Sequence, residues 1–401
     1  MNVEDYRSVV RFAREHRSVD PMQLLLHAGQ YPEVDVRLVV QQLEGMTMAI
    51  GKWPTWAECP EVCYPPRLNR EQSSSEATAR YKADLTGGDE AADLTGGMGV
   101  DCYFMAQRVG RMHYCEMDPM VSQLAAHNFE TLGQRNIECH TGDSLVWLQG
   151  QQGHVFDTLY IDPARRNGKG QRVAAFEDCT PDLTGNLALL KSHCRRLMVK
   201  ASPMLDISAA LRQTGAAEVH VVAVEGECKE LLFIVSGDGH ESATEASQIV
   251  CVNLRRDGRD VHRFTPAEEQ ACSARLCGST GRYLYEPHAA LMKGGCYRLL
   301  GQWYDLPMID KHSHLYTSDS LVEGFPGRVF EVLCPTPLNS KSIKKLLPER
   351  KAHLISRNYP VGADRLAQQL GLQEGGDRYV IATTVGGKKS GLVCREIKNA
   401  K

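Results

Sequence analysis

A glycine-rich turn between an apolar strand and a helix is the feature that most constrains how this chain can fold. Residues 91–101 read Ala-Ala-Asp-Leu-Thr-Gly-Gly-Met-Gly-Val-Asp. Glycine permits positive φ angles and lets a ligand approach the main chain closely. The free N–H groups at the start of the following helix favour an acidic or anionic group of a ligand. This strand, turn and helix therefore predict a site for a nucleotide-like cofactor.

Acidic residues end four successive predicted strands. Asp93 closes the first strand and Glu116 the second, while Asp143 follows the third and Asp162 follows the fourth. In a parallel sheet these ends share one edge, which is where α/β proteins bind ligands. Glu116 lies about 20 residues after the glycine turn, where a carboxylate can accept hydrogen bonds from both hydroxyls of a ribose. Chance explains one such carboxylate easily, and all four poorly.

This pattern resembles the class I S-adenosylmethionine-dependent methyltransferases over residues 72–236. Their glycine motif, Asp-x-Gly-x-Gly-x-Gly, is matched here with threonine in place of the first glycine. The resemblance implies S-adenosylmethionine as the cofactor, with Glu116 on its ribose and Asp143 on its adenine amino group. A nicotinamide dehydrogenase shares the first turn, but the carboxylates after strands three and four favour the methyl donor. The cofactor-binding residues implied by the resemblance are Asp93, Thr95, Gly97, Gly99, Glu116, Asp143 and Ser144.

The segment Asp162-Pro163-Ala164-Arg165 occupies the position of the acceptor-facing motif of this family. Asp162 is the candidate to orient or deprotonate the acceptor, and Arg165 replaces the aromatic residue that stacks on a flipped base in amino-group methylases. That replacement disfavours a simple DNA amino-methylase, although arginine can stack on a base or bind a phosphate. Arg166 and Lys200 are further candidates for substrate contact, with a strand-end surface lysine as the alternative for Lys200. Alanine at position 201, where carbon-5 uracil methylases carry a cysteine, disfavours covalent chemistry.

The alternation of strands and helices predicts an α/β fold with a Rossmann-like, seven-stranded, doubly wound sheet. Cys194–Lys200 is the predicted fifth strand, and two β-rich runs form the closing antiparallel pair. Those two runs are Glu218–Val224 and Leu231–Val235. The predicted helices between the strands are Met120–Thr131, Asn186–His193 and Ser208–Gln213.

Four domains are predicted from shifts in composition and pattern. They are an N-terminal helical domain (1–71), the methyltransferase core (72–236), a small α+β domain with a ferredoxin-like arrangement as one option (237–327), and a basic α+β domain (328–401). A helix near the start of the core carries Ser74, Arg80 and Lys82, which either pack against the sheet or border the cofactor or acceptor. Within the third domain, Glu286–Met292 is predicted as a helix with proline in its first turn.

The last domain is predicted as a βαβαββ module with a strong positive charge. It contains 14 lysines and arginines against 6 acidic residues, whereas the whole chain carries −3. The order of its elements resembles the THUMP-like domains of some bacterial methyltransferases, which implies RNA as a partner. The predicted phosphate contacts are Lys344, Lys345, Lys351 and Arg357. A solvated basic face is the alternative.

Composition is typical of a cytoplasmic enzyme. The sequence contains no run of about 18 apolar residues, so no membrane span or membrane partner is predicted. The fourteen cysteines are scattered, which favours reduced thiols over a disulfide framework. No metal is predicted, because neither Cys59/Cys63 nor Cys272/Cys277 is accompanied by a second ligand pair with finger spacing.

These observations predict a cytoplasmic S-adenosylmethionine-dependent methyltransferase acting on structured RNA, tRNA or rRNA. Two alternatives remain open. The first is a methyltransferase for small molecules or proteins, and the second is a non-catalytic RNA-binding protein that keeps the methyltransferase fold. The acceptor atom and the oligomeric state are not indicated by the sequence.

Overall fold

The chain divides into two compact units. The computed structural model describes residues 3–165, 176, 179–240 and 247–398, and the side chains of residues 3–5 and of Arg165 are outside that description. The first unit comprises the chain up to Val219 and a return segment that starts at Leu231. The second comprises His220–Glu230 and the chain from residue 246 onward.

Helices precede the sheet of the first unit, as the apolar spacing predicts. Asp20 and Asp35 begin two of them by accepting hydrogen bonds from the main-chain N–H groups of Met22 (2.7 Å) and Arg37 (2.9 Å). The apolar faces of these helices form a buried cluster around Val39. The helical segments are α1 (Val3–Glu15), α2 (Pro21–Leu26), a 3-10 helix (Ala28–Gln30), α3 (Val36–Lys52), α4 (Pro54–Ala57), α5 (Arg67–Gln72) and α6 (Glu76–Leu85).

The sheet of the first unit is the predicted doubly wound, parallel-rich sheet. Its strands and the short pair beside it are β1 (Glu90–Asp93), β2 (Arg111–Glu116), β3 (Ile137–Thr141), β4 (Phe156–Ile161), β5 (Ala164–Arg165), β6 (Cys179–Thr180), β7 (Cys194–Ala201), β8 (Glu218–Val224) and β9 (Glu227–Ser236). The helices between them are α7 (Val100–Ala106), α8 (Pro119–Thr131), α9 (Ser144–Gln149), α10 (Leu183–Ser192) and α11 (Ile207–Thr214).

The order of the strands in this sheet differs from their order along the chain. The order is β9–β7–β4–β1–β2–β3, and every pair is parallel except β7 with β9. β8 starts beside β9, where the Ala217 N–H donates to the carbonyl of Ile234 (2.9 Å), and the boundary between the units falls within β8. Because the first four strands are parallel, their carboxyl ends meet at one edge of the sheet.

The predicted helices of this unit are present with small shifts at their ends. Ser74, which was expected on one helix with Arg80 and Lys82, lies outside it, because α6 begins at Glu76. Among the helices between the strands, the largest shift is in α10, which begins at Leu183 rather than Asn186. Asp182 begins the helix there, because its side chain accepts a hydrogen bond from the Gly185 N–H (3.1 Å). An aspartate in that position satisfies a main-chain donor that the helix itself leaves unpaired.

The second unit contains a hairpin, several helices and a six-stranded sheet ordered β13–β12–β14–β17–β16–β15. Only β15 and β16 pair in parallel within that sheet. Its elements are β10 (Gln248–Arg255), β11 (Gly258–Phe264), α12 (Pro266–Ala271), β12 (Tyr283–Pro287), α13 (Ala289–Gly294), α14 (Arg298–Trp303), β13 (Tyr316–Ser318), β14 (Gly327–Thr336), α15 (Ser340–Leu346), β15 (His353–Ser356), α16 (Ala363–Leu370), β16 (Arg378–Val385) and β17 (Lys388–Glu396).

The predicted βαβαββ order of the C-terminal module is present in β14–β17 with α15 and α16. The predicted helix at Glu286–Met292 starts too early, since Glu286 and Pro287 belong to β12 and pair with Arg328 and Gly327. The helix α13 starts after His288, whose side chain caps it. Strands on both sides of the predicted 327/328 boundary therefore share one sheet.

Two further sequence expectations concern thiols and membranes. All fourteen cysteines lie in the described part of the chain, and all are free thiols. Within the described ranges, the helices are too short or too polar to cross a bilayer.

We expect Gly99→Ala to destabilise the first unit more than Gly133→Ala. Both glycines have positive φ (83° and 77°), so alanine strains the backbone at either position by about 1–2 kcal/mol. A Cβ at position 99 would lie 2.5 Å from the Phe129 ring, whereas one at position 133 meets no atom within 4 Å. Overpacking against Phe129 should add about 1–3 kcal/mol, visible as a lower melting temperature. Equal melting temperatures for the two variants would contradict this packing.

Candidate active site

The four predicted carboxylates lie at the carboxyl edge of the sheet. Asp93 ends β1 and Glu116 ends β2, and the main chain of β1 pairs with both β2 and β4. Asp143 follows β3 by two residues and Asp162 follows β4 directly. The structure therefore brings these residues to one edge of one sheet, as the spacing predicts.

The glycine turn lies over this edge in a conformation that needs its glycines. Gly97 and Gly99 have φ angles of 52° and 83°. A Cβ at Gly96 would lie 2.1 Å from the Tyr114 ring, and the Tyr114 hydroxyl donates to the carbonyl of Gly97 (2.6 Å). By contrast, the nearest atom to a Cβ at Gly97 is 3.9 Å away, so this residue borders open space. A ligand can approach the main chain at Gly97.

Glu116 fixes the position of the turn. One of its carboxylate oxygens accepts a hydrogen bond from the Gly97 N–H and the other accepts one from the Asp118 N–H, both at 2.8 Å. These bonds hold a half-buried carboxylate beside the open face of the turn. A carboxylate in this place can accept the hydrogens of two ribose hydroxyls.

Thr95 connects the first and fourth strand ends. Its N–H donates to Asp93 Oδ1 (2.9 Å), and its hydroxyl lies 3.4 Å from the same oxygen. The hydroxyl also accepts a hydrogen bond from the Asp162 N–H (2.7 Å). Threonine at the first glycine position thus links the predicted cofactor residue Asp93 to the predicted acceptor residue Asp162.

Asp93 is buried, with 1% of its surface exposed. Burial raises the pKa of its carboxyl well above the usual range, although the Thr95 N–H opposes the shift. The nearby carboxylates of Asp101 and Asp162 raise this pKa further. A cationic ligand group would offset the cost of ionising Asp93, and S-adenosylmethionine carries both a sulfonium and an ammonium group.

Asp143 and Ser144 start α9. Asp143 is exposed, and its Oδ1 accepts hydrogen bonds from the N–H groups of Leu145 (2.8 Å) and Val146 (3.3 Å). Ser144 is buried in the first turn of the helix. Asp143 therefore caps a helix and also presents an exposed carboxylate at the sheet edge, where the adenine contact is predicted.

Lys200 contacts Asp162. The Lys200 ammonium, at the end of β7, forms an ion pair with Asp162 Oδ2. Their side chains are 14% and 35% exposed, respectively. Of the two predicted roles for Lys200, this placement favours the acceptor-site cation over a surface lysine.

A buried charged network lies next to this pair, and its central residue, Asp101, was not among the predicted site residues. Asp101, in the first turn of α7, accepts hydrogen bonds from Ser74 (2.7 Å) and Tyr160 (2.9 Å). The fully buried Lys82 ammonium lies 3.2 Å from its other oxygen. Burial alone would raise the pKa of Asp101, but the Lys82 and Lys200 charges outweigh it and hold this pKa below its usual value. Asp101 could have been identified from the sequence as an acidic residue in the first turn of the helix that follows the glycine motif.

The remaining predicted residues divide into three groups. Arg80 pairs with Glu76 (2.8 Å) and covers the Phe104 ring, so it packs against the helices. The Arg165 side chain and the whole of Arg166 lie outside the described residues. The basic residues predicted to bind RNA belong to the second unit, namely Lys344, Lys345, Lys351 and Arg357.

The residues at the sheet edge fit S-adenosylmethionine. The open side of Gly97 leaves room against the main chain, Glu116 suits a ribose, and Asp143 suits an amino donor. The buried Asp93 suits a cationic group. These side chains would hold the cofactor, and each is kept in place by a hydrogen bond to the main chain.

Comparisons with known proteins agree with this assignment. A family model described as a ferredoxin-like domain matches residues 283–326, and one described as THUMP domain-like matches residues 327–396. An uncharacterized S-adenosylmethionine-dependent methyltransferase of Mycobacterium tuberculosis, present in two strains, is 23% identical over 342 residues. That match covers 82% of this chain and 87% of the relative.

One solved structure matches nearly the whole chain. The crystal structure of a candidate methyltransferase from Porphyromonas gingivalis W83 is 30% identical and has a TM-score of 0.87, covering 99% of this chain and 100% of that one. The doubly wound sheet and its carboxylate edge thus define the class, a methyltransferase that uses S-adenosylmethionine. Within this class, the chain belongs to the family of the Porphyromonas gingivalis protein and carries a THUMP-like C-terminal region.

We expect Asp93→Asn to weaken S-adenosylmethionine binding about tenfold to a hundredfold, because a charge-assisted interaction is lost. In the wild type, affinity should rise with pH above the ordinary aspartate range, as the raised pKa of Asp93 is passed and the carboxylate forms. The variant should lose that rise. Calorimetric titration at a series of pH values measures both effects.

As pH rises, the stability of the folded protein should fall, whereas its affinity for S-adenosylmethionine should rise. A raised pKa in the folded state means that the unfolded state loses its proton first, so wild-type stability falls as pH rises between the two pKa values. The Asp93→Asn variant has no carboxyl to ionise at this position, so this fall in stability is absent. The variant should therefore melt at the same temperature as the wild type or at a higher one. Asp89→Asn, at an exposed residue just before β1, is the matched control. Unchanged affinity in Asp93→Asn would remove Asp93 from the cofactor site.

Proposed function

We propose that this methyltransferase acts on structured RNA, with tRNA or rRNA as the substrate class. The observation that carries the proposal is the THUMP-like match over residues 327–396, in a segment where basic residues greatly outnumber acidic ones. A surplus of positive charge on one part of a chain favours a polyanionic partner.

The exposed lysines of α15 are the main proposed phosphate contacts. Lys341, Lys344 and Lys345 are exposed, and residues three and four apart lie on the same face of a helix. The opposite face of α15 buries Ile343 in the core. Lys351 is exposed shortly after this helix. The three lysines of α15 present positive charge that can contact a phosphate backbone, and Lys351 is a further exposed candidate.

Arg357 contributes less to this proposal. Its Nε donates to Glu286 Oε1 (2.9 Å), while Arg328 donates to the other oxygen of the same carboxylate (3.0 Å). Glu286 is only 4% exposed, so it requires positive partners. Arg357 therefore has a structural role, which leaves the lysines as the freer candidates for RNA contact.

At the acceptor, Asp162 is the proposed catalytic residue. When bound, S-adenosylmethionine supplies an electrophilic methyl group on sulfur. The Asp162 carboxylate accepts a hydrogen bond from the acceptor N–H or O–H and takes the proton when the acceptor carries one. Lys200 and Thr95 hold Asp162 by its side chain and its main chain, respectively. Such positioning supplies most of what methyl transfer needs from the protein.

We expect a Lys344→Glu/Lys345→Glu double variant to bind RNA more weakly and with a shallower salt dependence. Each lost phosphate contact lowers the slope of log K against log salt by about one. The RNA would be total tRNA and rRNA from a strain lacking the gene, with binding measured by filter retention at several salt concentrations.

Lys388→Glu/Lys389→Glu is the matched control for that measurement. It makes the same change in net charge at the exposed start of β17, within the same unit. We expect it to keep most of the wild-type slope. If the α15 variant has the wild-type slope, or if both variants lose it equally, α15 is not the RNA contact.

A further inference from the structure

A cluster of two histidines and a glutamate lies on the sheet of the first unit. His113 is on β2, and Glu138 and His140 are on β3. Because His113 pairs with Glu138 and Cys115 with His140 in register, the three side chains share one face of the sheet. Among the described residues, this is the group of histidine, cysteine and acidic side chains close enough to hold one metal ion.

The ligand atoms of the cluster have suitable separations. His113 Nδ1 lies 3.0 Å from His140 Nε2 and 3.9 Å from Glu138 Oε2. His140 Nε2 lies 3.9 Å from Glu138 Oε1. Two ligands of one zinc ion, each about 2.1 Å from the metal, are at most about 4.2 Å apart. The separation of the two imidazole nitrogens falls below that limit, and Glu138 meets it with one carboxylate oxygen towards each histidine. With one ligand atom per residue, all three atoms lie within 4.8 Å of one another, so a small rotation of the exposed Glu138 side chain completes the site.

A second carboxylate orients His113 from behind. Glu90, at the start of β1, lies 2.8 Å from His113 Nε2. With the Nε2 hydrogen directed at Glu90, the Nδ1 lone pair faces the cluster. A carboxylate behind a ligating histidine is the usual partner that fixes the ring and its tautomer at metal sites.

The surroundings leave the cluster partly covered and partly open. The Trp147 ring of α9 lies 4.7 Å from the His140 ring and 5.4 Å from the His113 ring. His113 is buried, whereas the Glu138 side chain is 60% exposed. A metal ion can therefore enter from the solvent past Glu138 and reach the two imidazoles, which pack against the Trp147 ring.

We propose that His113 Nδ1, His140 Nε2 and Glu138 bind a divalent transition metal ion of the zinc type, with water completing the coordination. Two imidazoles and one carboxylate are a donor set that zinc accepts. In the metal-free state the His140 Nε2 hydrogen faces the Nδ1 lone pair of His113. On metal binding Nε2 loses this hydrogen and His140 Nδ1 takes one up, so that His140 stays a neutral imidazole. The metal would join β2 to β3 shortly before Asp143, so it would brace the strand end that carries the predicted adenine contact.

The test is a metal titration of the full-length protein. Protein stripped with a chelator and desalted would be titrated with Zn²⁺ against a chromophoric chelator, and with Co²⁺ to record its tetrahedral absorption. We expect one equivalent per chain and a higher melting temperature with Zn²⁺. Glu138→Gln should weaken binding at least tenfold, and His140→Ala should abolish it. Glu90→Gln should cost about tenfold to a hundredfold.

Controls separate this site from general effects. His193→Ala removes a partly exposed histidine that bonds to the Leu189 carbonyl, outside the cluster, and should bind zinc as the wild type does. Glu138 is exposed, so Glu138→Gln should melt like the wild type without metal, which keeps the test valid if His140→Ala fails to fold. A wild type that binds no zinc, or ligand variants that bind it unchanged, would overturn the proposal. Neither result bears on RNA methylation.

Discussion

The hydroxyl of Thr95 is the contact on which the rest of the proposed site depends. It accepts a hydrogen bond from the Asp162 main chain and lies beside the buried oxygen of Asp93. Methyl transfer requires donor and acceptor to be held in line, so a rigid link between their two loops lowers the cost of alignment. A glycine at this position would bend the turn equally well, but it would leave the Asp162 N–H without that acceptor. The Lys200 ion pair then restrains the same aspartate from its side chain.

This arrangement buries the carboxyl groups of Asp101 and Asp93, and a buried charge costs free energy unless it is paired. The two residues differ in how that charge is stabilised. Asp101 is stabilised inside the protein, because Lys82, Ser74 and Tyr160 supply a positive charge and two hydrogen-bond donors. Removing one partner of such a buried pair typically costs about 3–5 kcal/mol. Asp93 is different, since its raised pKa means that the protein alone does not stabilise its charge. A cationic cofactor can supply the missing charge, so we expect Asp93 to favour cofactor binding at the expense of stability.

The sequence predicted the parts of the fold that depend on local patterns. Short apolar runs and glycine turns identified the strands, and parallel order then brought Asp93, Glu116, Asp143 and Asp162 to one edge. Contacts between distant residues could not be predicted this way. The partner of Thr95 lies 67 positions along the chain, and the partner of Arg357 lies 71 positions away. The false helix start at Glu286 has the same origin, because pairing with β14 overrides a local proline signal.

The most direct test of the central claim is transfer of a labelled methyl group. Wild-type protein and Asp162→Asn would be incubated with tritiated S-adenosylmethionine and total RNA from a strain lacking the gene, and cofactor binding would be measured in the same samples. The account predicts that label enters RNA with the wild type, and that the variant binds the cofactor normally but transfers little label. Cofactor binding by the wild type without label in RNA would contradict RNA as the substrate, and equal transfer by both proteins would contradict the role of Asp162.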